Sequence, residues 1–436
     1  MPQPEALSNE NFPACLLALK QTLPVQIVCS CPFPSYSIVF QNPILAAVIG
    51  MAAGSFHTLL VKQDGSVWSS STCSESRSKK FIKVISSGAA AAATGTSHSM
   101  VMKNDGTVWL TGENAKGQLG DGSIHANINF TLAQRIAGTA KHIAAGGYHS
   151  MVLTQDGSVW DTGWNNHGQL GDGSTSDKTR FQEVIFGFAE GVAAGDIHSM
   201  VLKQDGSVWA TGRNYNGQLG DGSKTDKSYF SKIITNGALA IAAGGYHSLV
   251  IKQDGGVWAT GWNEYGQLGD GSKIDRMNYM QVVLSEVKAI AAGSRHSLIM
   301  KQDGSVWVTG WNEYGQLGDG STVDQIDYMQ VVSNGSTSIA AGSRHSMVLK
   351  QDGSVWATGH NEYGQLGDGS MSDSKVFVQV ISDGAKAVAT GAFHTMVLKQ
   401  DNSIWATGSN KDGQLGDGST ISTGTFFKLA PFDSGS

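Results

Sequence analysis

The chain has 436 residues, 40% of them hydrophobic and 15% charged, with a formal net charge of −6. That length and apolar share suffice for a large core, while sparse charge with no run of one sign argues against a nucleic-acid surface, which shows clustered Lys and Arg. The 56 glycines are about twice the ordinary share and point to a turn-rich fold.

Residues 1–44 differ from the rest of the chain. Seven of the eight prolines lie at or before Pro43, and three of the four cysteines (Cys15, Cys29 and Cys31) are here. The apolar stretch 14–19 is short, comes after Glu5 and Glu10 rather than basic residues, and is broken by Lys20. It fits neither a secretory signal nor a membrane span, so the cytoplasm is the favoured compartment. Ser8 is expected to cap a short helix reaching about Thr22. Cys29-x-Cys31 has the wrong spacing for a zinc knuckle and no second pair. The segment reads as an irregular extension.

From residue 45 the sequence repeats. Residues 340–370 read Ala-Ala-Gly-Ser-Arg-His-Ser-Met-Val-Leu-Lys-Gln-Asp-Gly-Ser-Val-Trp-Ala-Thr-Gly-His-Asn-Glu-Tyr-Gly-Gln-Leu-Gly-Asp-Gly-Ser. The histidine recurs at His57, His98, His149, His198, His247, His296, His345 and His394, and the tryptophan from Trp68 to Trp405 in the same steps. The last five steps are 49 residues each; the first two are 41 and 51. A fixed period of this size signals a propeller, solenoid or array. Each unit holds four short apolar runs without helical periodicity, the second and third joined by Asp-Gly, a strong hairpin signal. Four-stranded units stacked radially are propeller blades. The small residues of Ile-Ala-Ala-Gly suit the crowded strand at the axis. A β-solenoid is the competing architecture, but its coils use shorter periods and lack such hairpins.

The propeller is expected over residues 45–431, with a tail at 432–436. Its first unit keeps Phe56-His57-Thr58 and Asp64-Gly65-Ser66-Val67-Trp68, but residues 69–80 replace the loop. Eight residues and the whole Gly-Gln-Leu-Gly motif are missing there. Seven blades are expected, with eight as the alternative that eight histidines permit. Closure is expected where N-terminal strand material pairs with the last blade, because that removes free edges.

The loop Gly-x-Asn-x-x-Gly-Gln-Leu-Gly-x-Gly, set after Asp-Gly-x-Val-Trp and before Ala-Ala-Gly-x-x-His-[Ser/Thr], resembles the RCC1 repeat, named for the regulator of chromosome condensation. Seven in-register copies make the signature specific, and the resemblance covers about residues 45–430. It implies an all-β propeller, normally of seven blades. The founding member is an exchange factor for the small GTPase Ran, binds nucleosomes, and uses an extra β-wedge from one blade. The five equal steps leave no room for that wedge, and no basic tail is present. A plant photoreceptor branch carries Gly-Trp-Arg-His, where this chain has Ser294 and Ser343. A third branch inhibits β-lactamases by laying one face over the enzyme. Function transfers poorly across a shared fold.

In an antiparallel meander the Gly-x-x-His loops and the Asn-x-x-Gly loops share one face, and the Asp-Gly hairpins share the other. The hairpin face is monotonous. The first face varies. Tyr148, Tyr246, Arg295, Arg344 and Phe393 precede repeat histidines, and Trp164, Arg213, Trp262, Trp311 and His360 precede loop asparagines. Aromatics and arginine are the types enriched at binding hot spots, so these ten residues form the candidate protein-binding face. The competing reading packs the tryptophans between blades and pairs Arg295 and Arg344 with Glu264, Glu313 or Glu362.

The eight histidines sit one per blade, too far apart for one ion, and are expected to bond backbone near the loop. The aspartates of Leu-Gly-Asp-Gly lack the alternation of a calcium loop, and Gly-Gln-Leu-Gly-Asp-Gly has no Lys-[Ser/Thr] and no helix after it, so it is not a phosphate loop. No catalytic set, cofactor, metal or nucleic acid is expected. The expected function is a non-enzymatic protein-interaction scaffold, with regulation of a small GTPase as its sharper form. A secreted ligand-binding or enzyme-inhibiting propeller is the alternative.

Overall fold

The computed structural model describes residues 28–30, 35–39, 48–70, 79–133, 135–136 and 138–430. The expected helix from Ser8, the cysteines Cys15, Cys31 and Cys73, and the tail 432–436 lie outside them. Every regular element among the described residues is a strand, and no helix there is long and apolar enough to cross a membrane.

Eight sheets stand around a common axis. The first strand of each blade lies beside the first strand of the next all the way round, and the first sheet packs against the eighth. Blade 7 shows the pattern: Ser336–Ala341, His345–Lys350, Val355–Gly359 and Ser374–Ile381, each paired antiparallel with the next. The eight-blade alternative is therefore the observed count. The degenerate first unit builds a blade of its own from Val48–Ala53, Thr58–Lys62, Val67–Ser69 and Ile82–Ile85. Ser35–Val39 and Val28–Ser30 continue that sheet on its inner side.

Closure differs from the expectation. The outermost strand of blade 8, Thr423–Lys428, pairs with Ile404–Gly408 and with no N-terminal strand among the described residues. Eight complete blades leave no strand to share, so closure falls to side chains and loops. The central device is the repeat histidine. His149 Nε2 lies 2.9 Å from Ser199 Oγ of the next blade, and the same contact recurs at every seam. His394 completes the circuit on Thr58 of blade 1 at 2.8 Å. The expected backbone partner is thus replaced by a hydroxyl of the neighbouring blade. At seven seams that hydroxyl also donates to the carbonyl of the loop glutamine, as from Ser199 to Gln169 at 2.7 Å. A hydroxyl has one proton to give. Since the carbonyl takes it, the imidazole must donate, which fixes seven rings as the neutral Nε2–H tautomer. A glycine three residues earlier makes room: a Cβ at Gly146 would overlap the His149 ring.

Apolar packing obeys the same division. The described core is not one cluster but eight, one in each seam. Blade 3 carries one exception. Asp161 occupies the third-strand position that holds Ser69, Leu110, Ala210, Ala259, Val308, Ala357 and Ala406 in the other blades. It is fully buried, with Oδ1 accepting the Thr162 N–H at 2.9 Å and Oδ2 without a hydrogen bond. Burial, with Asp172 adding to it, pushes this carboxyl well above the usual range.

These burials make stability depend on pH in two opposite ways. Burial holds the ring histidines far below the ordinary imidazole value, at about 4 for His57, His198 and His296 and about 3 for the other five. The unfolded chain takes up protons below about pH 6.5 and the ring does not, so stability is complete above that value and falls as pH drops toward 4. Each histidine contributes up to about 1.4 kcal/mol per pH unit. Acid titration monitored by circular dichroism should show a steep transition coupled to uptake of several protons, and His345→Ala should cost more than about 2 kcal/mol. Asp161 has the opposite sign, because its buried neutral form costs stability as pH rises above the ordinary carboxylate value. Asp161→Ala should raise unfolding stability by about 1–3 kcal/mol at pH 8, measured by denaturant titration, and by much less at pH 4.

Candidate protein-binding rim

The backbone brings the two variable positions of each blade together. The residue before the loop asparagine donates its N–H to the carbonyl of the residue before the histidine: Trp164 to Tyr148, Arg213 to Ile197, Trp262 to Tyr246, Trp311 to Arg295 and His360 to Arg344, each at 2.9 Å. The loop itself is rigid. In blade 6, Asn312 Oδ1 accepts the Leu317 N–H at 3.0 Å while its Nδ2 donates to Asp319, and Asp319 also takes the Ser321 N–H. The loop aspartates therefore hold turns.

On this base the side chains form a continuous arc over blades 4–8. Arg213 lies 5.8 Å from the Tyr246 ring, and Tyr246 meets Trp262 edge-on. Contacts then run Trp262–Tyr265–Trp311–Tyr314–His360–Tyr363–Phe393, with ring centroids 4.6–6.1 Å apart. Arg295 sits over Trp262, Tyr265 and Trp311, and Arg344 over Trp311 and Tyr314. Lys411 of blade 8 covers Tyr363 at 5.0 Å. Tyr148, Trp164 and His167 make a second cluster on blade 3.

The arginines do not pair with Glu264, Glu313 or Glu362 among the described ion pairs; Glu362 faces His360 instead. Their guanidinium groups reach the Tyr265 and Tyr314 hydroxyls at 3.4 and 3.3 Å. Trp311 and His360 are buried, whereas Trp262, Arg295, Arg344 and Phe393 are half-buried. The arc is therefore part packing and part surface. Tyr265, Tyr314 and Tyr363 are arc members that the sequence patterns above do not single out. A signal for them exists nonetheless: the position before the loop glycine also varies, from Lys116 and His167 to Asn216 and Asp412.

The opposite face carries a second, regular series. A lysine ending the second strand covers the repeat tryptophan, as Lys203 does Trp209 at 4.4 Å, and the indole N–H donates to the serine two residues earlier. This series repeats around the ring and offers little that distinguishes one blade from another.

Comparison with known proteins agrees with this geometry. The RCC1-like domain matches residues 37–283, and RCC1 repeats match 287–316, 337–365 and 385–414. The chain belongs to the RCC1-like domain family. Curated relatives share short segments of it. The mouse X-linked retinitis pigmentosa GTPase regulator is 41% identical over 76 residues, which is 17% of this chain and 8% of that protein. Mouse RCC1 domain-containing protein 1 is 38% identical over 60 residues, 14% of this chain and 16% of the other. Among solved structures, human WBSCR16 superposes with a TM-score of 0.62 at 23% identity, over 73% of this chain and 89% of that one. Yeast RCC1 (Prp20), solved bound to Kap60, gives 0.60 at 21% identity, over 74% and 83%. At these identities the likeness concerns the fold.

A half-exposed cation over aromatic rings contributes about 0.5–1 kcal/mol, counted once for each arginine. The double variant Arg295→Ala/Arg344→Ala should therefore lose no more than about 2 kcal/mol in a denaturant titration and keep the native circular dichroism spectrum. A loss as large as that of His345→Ala would make the arginines structural.

Proposed function

We propose that this chain is a non-enzymatic protein-interaction scaffold that captures its partner on the aromatic–arginine arc of blades 4–8, and that a small GTPase is the partner class to test first. One observation carries the reading. On a ring of near-copies, one rim gathers tryptophan, tyrosine and arginine in mutual contact among the described residues, and leaves Trp262, Tyr265, Arg295, Tyr314 and Arg344 half accessible. Such residues dominate binding energy when a partner completes their burial. The ring supplies pre-organisation, so little ordering entropy is lost on association. The GTPase class is suggested by what relatives are called: a GTPase regulator in mouse, and yeast Prp20p, whose structure was described with its binding to Gsp1p and histones.

The test is affinity capture on the immobilised chain, with nucleotide-release assays on any GTPase retained. Capture should fall about 30-fold or more in Trp262→Ala/Arg295→Ala/Arg344→Ala, as expected for loss of hot-spot residues worth at least about 2 kcal/mol. Equal capture by the native and variant rings would remove the arc from the interface. Capture of a GTPase without faster nucleotide release would leave the scaffold reading and dismiss exchange.

A further inference from the structure

The arc does not stop at its aromatic rings. Two further rows run beside it on blades 5–7, and one asparagine per blade ties the three together. That asparagine follows an arc residue and precedes a glutamate, in Trp262-Asn263-Glu264, Trp311-Asn312-Glu313 and His360-Asn361-Glu362. Its side chain is buried and reaches across the loop. Nδ2 donates to the carbonyl of Ile274, Val323 or Ser372 at 3.0–3.1 Å, and the backbone N–H donates to Asp275, Asp324 or Asp373. The loop tip is thereby held in a fixed place relative to the arc residue and the glutamate.

These tips are apolar and open to solvent. Ile274, Val323, Met371 and, on blade 8, Ile421 are between 50% and 75% exposed. Blades 3 and 4 carry Thr175-Ser176 and Lys224-Thr225 at the same places, and Ile124 of blade 2 is the one comparable tip elsewhere among the described residues. Glu264, Glu313 and Glu362 are exposed as well. Glu264 and Glu313 make no ion pair among the described residues, and Glu362 faces only His360 at 3.5 Å. Negative charge collects on the same blades. Residues 311–325 and 360–374 each hold three carboxylates and no lysine or arginine, whereas 213–227 sets two carboxylates against Arg213, Lys224 and Lys227. Lys273 meets one of the six, Asp324, at 2.9 Å. Arg295 and Arg344 are turned to rings and tyrosine hydroxyls.

We propose that the arc is one row of a wider docking surface, and that its occupant is a basic segment of the partner polypeptide. Lysines or arginines of that segment meet Glu264, Glu313 and Glu362, and apolar residues between them cover the tips at Ile274, Val323, Met371 and Ile421. The proposal rests on the arc as the capture site and adds the chemistry of what is captured. Exposed aliphatic side chains on a rigid loop gain when a partner takes them out of water. The carboxylates select the sign of the partner: they steer a cationic segment inward and oppose a nucleic acid or an anionic lipid surface. A second copy of this chain is a poor match, because it has a net charge of −6 and no basic run.

The probe is a fluorescein-labelled peptide of alternating lysine and leucine, titrated by anisotropy into the full chain beside lysine–serine and glutamate–leucine peptides. Saturable binding that weakens with added salt is expected for lysine–leucine, about tenfold weaker binding for lysine–serine, and none for glutamate–leucine. Glu264→Gln/Glu313→Gln/Glu362→Gln should weaken lysine–leucine binding about tenfold. Ile274→Thr/Val323→Thr should weaken it too, with residue types that blades 3 and 4 already carry there. Glu183→Gln/Glu190→Gln/Glu286→Gln removes the same charge on the hairpin side and should leave binding unchanged. Equal loss in the two triple glutamate variants would mean attraction to net charge alone and would overturn the proposal. Binding of glutamate–leucine, or no saturable binding of lysine–leucine, would overturn it too. A dimer in sedimentation that the Glu264 variant dissolves would overturn it in favour of a second copy. The two readings fail separately. A captured partner lost by Trp262→Ala/Arg295→Ala/Arg344→Ala but held by the Glu264 variant keeps the arc and overturns the extension. Lysine–leucine binding lost by the Glu264 variant but unchanged in the arc variant supports the basic occupant and removes the arc.

Discussion

One bond organises this molecule: the imidazole Nε2 of each blade paired with a hydroxyl of the next, the imidazole donating at seven of the eight seams. It is short, buried and repeated at all eight seams. A propeller blade cannot bury its two faces alone, so stability resides in the seams and scales with how well neighbours are tied. Burying a hydrogen-bonding group without a partner costs more than the bond itself returns. Misalignment of any blade would orphan an imidazole, a hydroxyl and a glutamine carbonyl together. The network therefore selects one register of blade against blade, which generic packing of Ala, Val and Leu would not do. It also explains how the ring closes without sharing a strand, since the last seam uses the same atoms as the others.

A frame held in this way frees its rim. The positions beside the histidine and beside the loop asparagine are pinned by backbone hydrogen bonds, and their side chains carry little of the fold's burden. They vary among aromatic, arginine, serine and glutamate, whereas the hairpin face repeats itself. Unequal decoration of equal modules is how a symmetric scaffold acquires a directional surface. The arc over blades 4–8 and the loop-deficient seam at blades 1–2 lie on different parts of the ring, and each departs from the repeat by a different route. One changes side chains on an intact loop; the other lacks the Gly-Gln-Leu-Gly motif.

Much of this is legible in the residues. The 49-residue step, the Asp-Gly hairpins and the Ala-Ala-Gly strands carry the propeller, its strands and the shared face of the two loop sets. The blade count is not, because whether a degenerate unit folds as a blade depends on seam contacts that no local pattern reveals. Nor is closure: the expectation of a shared strand assumes an incomplete blade, and Val48–Ile85 is complete. The histidine's hydroxyl partner lies some 50 residues away in sequence, so spacing within a unit could not name it. Of the arc, the tryptophans and arginines stand out by their variation. The three tyrosines do not, because their position holds Lys, His, Asn or Asp in other blades and looks like ordinary loop surface. Asp161 is visible as Asp among alanines, yet only burial shows what it costs.

The central claim concerns protons, and nitrogen-15 spectroscopy of the imidazoles reads them directly. In folded protein at pH 6 to 5, the account predicts eight histidines that stay neutral across the range, seven of them as the Nε2–H tautomer, apart from His125, His142, His167 and His360. Ring histidines that titrate near pH 6.5 in the folded state, or that carry their proton on Nδ1, would contradict it.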